Sequence, residues 1–157
     1  MTAAVYRPRI LVLQGANMAA LGVRQPEFYG TTTAAELDAM VRDHAIGHGY
    51  DIDIFYTHHE GEAIARLYRA LAESVDALVM NPAGFLCAGQ ALADCLRSLP
   101  FPVVEVHMTN IEKRGRRSVT VEAARGMIAG LGTDSYMVGL DAALKLIADK
   151  NPNGGKP

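Results

Sequence analysis

A chain of 157 residues, half of them hydrophobic and 20% charged, has the make-up of one ordinary globular domain with a real core. Its formal net charge of −2 gives no electrostatic footprint for nucleic acid or an anionic membrane, and no apolar run approaches the ~20 residues of a membrane span. Two cysteines, Cys87 and Cys95, are too few for a disulfide framework, and the opening MTAAVYRPR lacks an apolar signal core, so a cytoplasmic location is expected.

Residues 9–14 (RILVLQ) form a short apolar run ending in polar residues and glycine, the pattern of a buried strand. A long connection follows over residues 15–30, carrying Asn17, Arg24, Pro26 and Tyr29. Loops of this length in compact domains are usually functional. Thr33 and Glu36 have capping-box spacing, with Leu37, Met40, Val41 and His44 on one helical face behind them. Gly47 and Gly49 stop that helix.

Residues 51–57 (DIDIFYT) begin with alternation and read as a strand. Ile64, Leu67, Tyr68 and Leu71 mark a second amphipathic helix, and residues 77–81 (ALVMN) a third, buried strand. Ala91, Leu92, Cys95 and Leu96 fit a third helix, residues 103–106 a fourth strand and residues 126–130 a fifth. Tyr136, Leu140, Leu144 and Ile147 repeat at helical spacing in the last helix. Residues 109–125 have poor periodicity. Residues 1–150 are read as one domain and residues 151–157 (NPNGGKP) as a frayed tail.

Strands alternating with helices imply an α/β fold with a parallel sheet covered on both faces. The unit count suggests a five-stranded, flavodoxin-like sheet of order 2-1-3-4-5. In such sheets ligands bind beyond the carboxyl ends of the strands, near the reversal in strand order. The polar clusters fall there: Gln14 to Asn17, Asn81 to Gly84, and Glu105 to Asn110.

These residues suit proton transfer. His107 can act as acid or base near neutral pH. Glu105, two positions earlier on an extended segment, faces the same way and could orient the ring. Tyr29 and Arg24 share the long loop, where a guanidinium would favour the phenolate as a base. The cluster from Lys113 to Arg117 could hold an anion or be a solvated loop. Dinucleotide and P-loop fingerprints are absent. A receiver-type site is disfavoured because Gln14-Gly15 and Asn81 stand where acidic residues are needed. The tract from His58 to Glu62 lacks zincin spacing and reads as the polar start of a helix. No metal site and no cofactor are expected. Cys87 near a helix start reads as a small filler rather than as a nucleophile.

Five segments in register resemble the type II 3-dehydroquinate dehydratases: LVLQGANMAALGVRQPEFYG, HHEGE, MNPAGF, PVVEVHMTNI and GMIAGLGTDSYMVGL. The resemblance runs over about residues 10–146. It implies a flavodoxin-like fold, assembly from trimers into a homo-dodecamer, and dehydration of 3-dehydroquinate to 3-dehydroshikimate by anti elimination through an enolate. That reaction belongs to the shikimate pathway of aromatic amino-acid biosynthesis or to quinate catabolism. By the same resemblance Tyr29 is the base, and Arg24 promotes its ionisation. Asn17 stabilises the enolate through a water, His107 is the general acid, and Glu105 positions it. Asn81, Met108 and Thr109 match the substrate-carboxylate site, and Asp94 an aspartate acting across a trimer interface.

Three departures stand out. Gln14 replaces an asparagine, Cys87 replaces a histidine that binds a ring hydroxyl, and the loop after Asn110 is shortened. Arg114, Arg116 and Arg117 are thus all candidates for the hydroxyl-binding arginine, and Arg116 is taken as the contact. The alternatives are the same elimination on another cyclic keto acid, or a non-catalytic protein that binds a small acid.

Overall fold

The structure is a computed structural model that describes residues 5–150. The expected tail at residues 151–157 lies outside the described residues.

Five strands form one sheet in the order β2-β1-β3-β4-β5, and every pairing is parallel. They are β1 (Arg9–Ala16), β2 (Asp51–Tyr56), β3 (Ala77–Ala83), β4 (Val103–His107) and β5 (Gly126–Ala129). Strands one, three and four run one or two residues beyond the apolar runs that mark them in the sequence, so His107 is the last residue of β4 rather than the first of a loop.

The helices are α1 (Pro26–Tyr29), α2 (Ala34–His48), α3 (Glu60–Ala72), α4 (Gln90–Arg97) and α5 (Asp134–Lys150). The capping box of α2 is present: Glu36 N–H donates to Thr33 Oγ1 at 3.2 Å, and Thr33 N–H to Glu36 Oε2 at 2.7 Å. The helix ends at Gly49, whose positive φ of 73° suits a residue without Cβ.

Strand periodicity divides the core. Ile10 and Val12 of β1 join Val79, Val104 and Val106 beneath α2 and α5. Leu11 and Leu13 join Leu78 and Met80 beneath α3 and α4. Burial of both faces explains why the central strands read as continuous apolar runs.

The crossover from β4 to β5 has no α-helix among its residues. It consists of turns and a single 3-10 turn, Val121–Ala123. This accounts for the missing periodicity, and it leaves a short cationic loop beside the carboxyl end of β4. Among the described residues no helix is long and apolar enough to cross a membrane.

Candidate active site

The carboxyl ends of β1, β3 and β4 meet, and two loops close over them to form a cavity of about 350 Å³. This is within the size range of small-molecule sites. Gly15 permits the convergence: a Cβ there would lie 2.1 Å from the carbonyl oxygen of Pro82.

Asn17 lies just beyond β1 in the left-handed region, φ 79°, which asparagine tolerates better than most residues. Its N–H donates to Nδ1 of His58 at 3.0 Å. The histidine of the HHEGE tract therefore anchors the turn that presents Asn17 to the cavity. Glu60 of the same tract accepts from Leu92 N–H at 2.8 Å, tying the starts of α3 and α4 together.

Asn81, near the end of β3, is buried but lines the cavity. Its Oδ1 accepts from Ala83 N–H at 3.0 Å, and its Nδ2 donates to the Tyr136 hydroxyl at 2.9 Å. Tyr136 in turn donates to Gln14 Oε1 at 2.6 Å. Burial pushes the Tyr136 phenol well above its ordinary pKa, so it stays a neutral hydrogen-bonding link. Gln14 is fully buried and does not line the cavity; it supports Asn81 from behind through Tyr136.

His107 and Glu105 project from the same side of β4, as their spacing requires. Glu105 Oε1 lies 2.6 Å from His107 Nε2. The other carboxylate oxygen accepts from Thr120 Oγ1 at 2.6 Å, and Thr120 is within 3.0 Å of Ser118 Oγ. Glu105 is fully buried, whereas His107 reaches the cavity wall.

Tyr29, the last residue of α1, also lines the cavity. Pro26 starts this one-turn helix, and Gly30 at φ 76° ends it. Arg114 Nη1 donates to the Tyr29 hydroxyl at 3.0 Å and to Thr109 Oγ1 at 3.1 Å. Arg24 lies over the ring instead, with its guanidinium carbon 5.7 Å from the centroid. The cation that hydrogen-bonds the phenol oxygen is thus Arg114, contributed by the loop after β4 and not by the tyrosine's own loop.

Arg24, Arg114 and Arg116 line the cavity, and no aspartate or glutamate does. In a chain of net charge −2 this concentrates positive charge at one place and suits an anionic ligand. Met108, Thr109 and Cys87 also line it. The Cys87 thiol accepts from Arg116 Nη1 at 3.6 Å.

The family model for class II dehydroquinases matches residues 8–144. The chain belongs to the class II dehydroquinase family. A 3-dehydroquinate dehydratase from Syntrophotalea carbinolica is 42% identical over 91% of this chain and 99% of its own length. One from Pelobacter propionicus is 43% identical over 88% and 95%. Among solved structures, the type II dehydroquinase of Butyrivibrio crossotus superposes with a TM-score of 0.85 at 27% identity, over 88% of this chain and 98% of that one. The enzyme from Propionibacterium acnes gives 0.81 at 34% identity, over 87% and 97%.

Within this dehydroquinase fold, Asn17, Arg24, Tyr29, Asn81, Cys87, His107, Met108, Thr109 and Arg116 all line the one cavity, with Glu105 directly behind His107. Asp94 does not join them. It sits on the exposed side of α4, 3.8 Å from Arg97, outside the cavity. Sequence reasoning missed the supporting roles of Tyr136, Gln14, His58 and Thr120. A buried tyrosine on an apolar helix face is the one signal present, because its hydroxyl needs a partner.

Proposed function

We propose that this chain dehydrates 3-dehydroquinate to 3-dehydroshikimate by anti elimination through an enolate, acting as a hydro-lyase without a metal or cofactor. The reading is carried by one juxtaposition: a phenol held by a guanidinium and an imidazole held by a buried carboxylate share a cavity lined by three arginines and no acid. Tyr29, as the phenolate, removes the proton beside the ketone. Electrons move into the enolate, which Asn17 stabilises through a water. The enolate then expels the β-hydroxyl as His107 supplies its proton, so the elements of water leave. Glu105 engages Nε2 of His107, leaving Nδ1 for that transfer.

Arg114 is assigned to favour the charged form of Tyr29, with Arg24 adding positive charge at the ring. Asn81, Met108 and Thr109 take the substrate carboxylate, and Arg116 a ring hydroxyl. Asp94 is assigned to a neighbouring copy's site in a homo-oligomer built from trimers, of dodecameric size, in the cytoplasm. A second reading keeps this chemistry but changes the acid. It is favoured by the contact of Cys87 with Arg116, because a thiol is a weak hydrogen-bond partner for a ring hydroxyl.

The test is a turnover assay with purified 3-dehydroquinate, following the absorbance of the conjugated enone. Steady product formation is the expected result. Saturable binding without product would leave only a small-acid binding protein.

A further inference from the structure

A second cluster of chemically capable side chains lies away from the cavity, on the sheet face covered by α2 and α5. His44 and His48 occupy the last turns of α2, and Asp141 lies on α5. Because α2 runs back from the cavity edge to the start of β2, its last turns are at the opposite edge of the sheet. None of the three residues lines the cavity.

Their ligand atoms, the imidazole nitrogens and a carboxylate oxygen, all lie within 4.8 Å of one another. His44 Nε2 is 3.0 Å from Asp141 Oδ1, and His48 Nε2 is 3.8 Å from the same oxygen. Two donors on a tetrahedral ion with bonds near 2.0–2.1 Å are roughly 3.3 Å apart. The observed separations bracket that value. The four-residue spacing puts both imidazoles on one helical face, where their rings stack with centroids 3.9 Å apart.

The outer contacts supply an independent argument. His48 Nδ1 is 2.9 Å from the His44 carbonyl, which can only accept. Nδ1 therefore carries the proton, and in the neutral ring Nε2 presents its lone pair. His44 Nδ1 is 2.8 Å from the Tyr50 hydroxyl. That hydroxyl can donate while His44 Nε2–H bonds to Asp141. It can accept once Nε2 gives up its proton to bind an ion. Both rings thus have the second partner that orients metal-binding histidines.

We propose that His44, His48 and Asp141 form a site for a divalent first-row transition ion, zinc foremost, with a fourth position open to water. Two borderline imidazoles with one carboxylate make a donor set that zinc accepts in four-coordinate sites. The ion would link the end of α2 to α5 without entering the dehydration.

The test uses the full-length chain stripped with a chelator, then titrated with zinc by calorimetry and with cobalt by visible absorption. Uptake of one ion per chain is expected. His48→Ala and Asp141→Asn, both at half-exposed positions, should each weaken it by more than the roughly 10–100-fold typical of losing an outer partner. Tyr50→Phe should weaken it within that range. Thermal melts without ion verify the fold of each variant. Zinc should raise the melting temperature of the wild type but not of His48→Ala. Turnover of 3-dehydroquinate should be the same for the stripped protein, the zinc-loaded protein and His48→Ala. No uptake at submillimolar zinc, or equal affinity in the His48→Ala/Asp141→Asn double variant, would overturn the site while leaving the dehydratase reading untouched.

Discussion

The Glu105 carboxylate lies 2.6 Å from Nε2 of His107, and a second hydrogen bond from Thr120 fixes its other oxygen. The ring therefore cannot rotate without breaking a buried, charge-assisted contact. Glu105→Gln keeps the shape but removes the charge. We expect kcat to fall by about tenfold or more, KM to change little, and the thermal midpoint to stay near that of the wild type. A fall in midpoint with kcat preserved would assign Glu105 to folding alone.

Arg114 bridges the Tyr29 hydroxyl and Thr109, and so joins the segment bearing Tyr29 to the turn after β4. Hydrogen bonds from charged groups contribute ~1.5–3 kcal/mol. Arg114→Ala should lower kcat/KM by at least about tenfold, and by more than Arg24→Ala does. The reverse order, measured on the same substrate, would return the leading role to Arg24.

Tyr136 holds Asn81 and Gln14 in one buried chain of hydrogen bonds. Tyr136→Phe strands the Gln14 carbonyl and an Asn81 N–H. Each buried group left unpaired costs roughly 1–3 kcal/mol, and each kcal/mol lowers the melting temperature of a chain this size by about 2–4 °C. KM should rise as Asn81 loses its support. An unchanged midpoint in scanning calorimetry would show that water replaces the hydroxyl.

Cys87 touches the cavity through a thiol that pairs only with Arg116 among the described residues. If a ring hydroxyl of 3-dehydroquinate is poorly matched there, Cys87→His should raise kcat/KM by about 5- to 160-fold, from ~1–3 kcal/mol of regained binding. Gly89 must be left as it is, since a Cβ there would come within 2.8 Å of the Phe85 carbonyl. An efficient wild type with no gain from histidine would make Cys87 a neutral replacement.

Apolar runs mark β1, β3 and β4 because those central strands are short and buried on both faces, whereas alternation marks the half-buried β2, and the unit count suggests the strand order. The Glu105–His107 pair was legible because a spacing of two on a strand is a local geometric fact. What could not be read depends on distant partners. Arg114 reaches Tyr29 across 85 positions, while Arg24, five residues away, only covers its ring. Residues 109–125 are held by Thr120, Ser118 and backbone turns instead of an apolar stripe, so no period marks them. Tyr136 announced a helix face but not the two amides it joins. In the sequence His44 is legible only as part of an apolar face, because its partner Asp141 lies 97 positions further on.

Tyr29→Phe deletes one oxygen from a partly buried ring and so probes the assignment of Tyr29 as the base. With 3-dehydroquinate as substrate, kcat should drop by ~10²–10⁴, while a carboxylate-bearing inhibitor still binds. A variant that retains the wild-type kcat would mean that another group removes the proton.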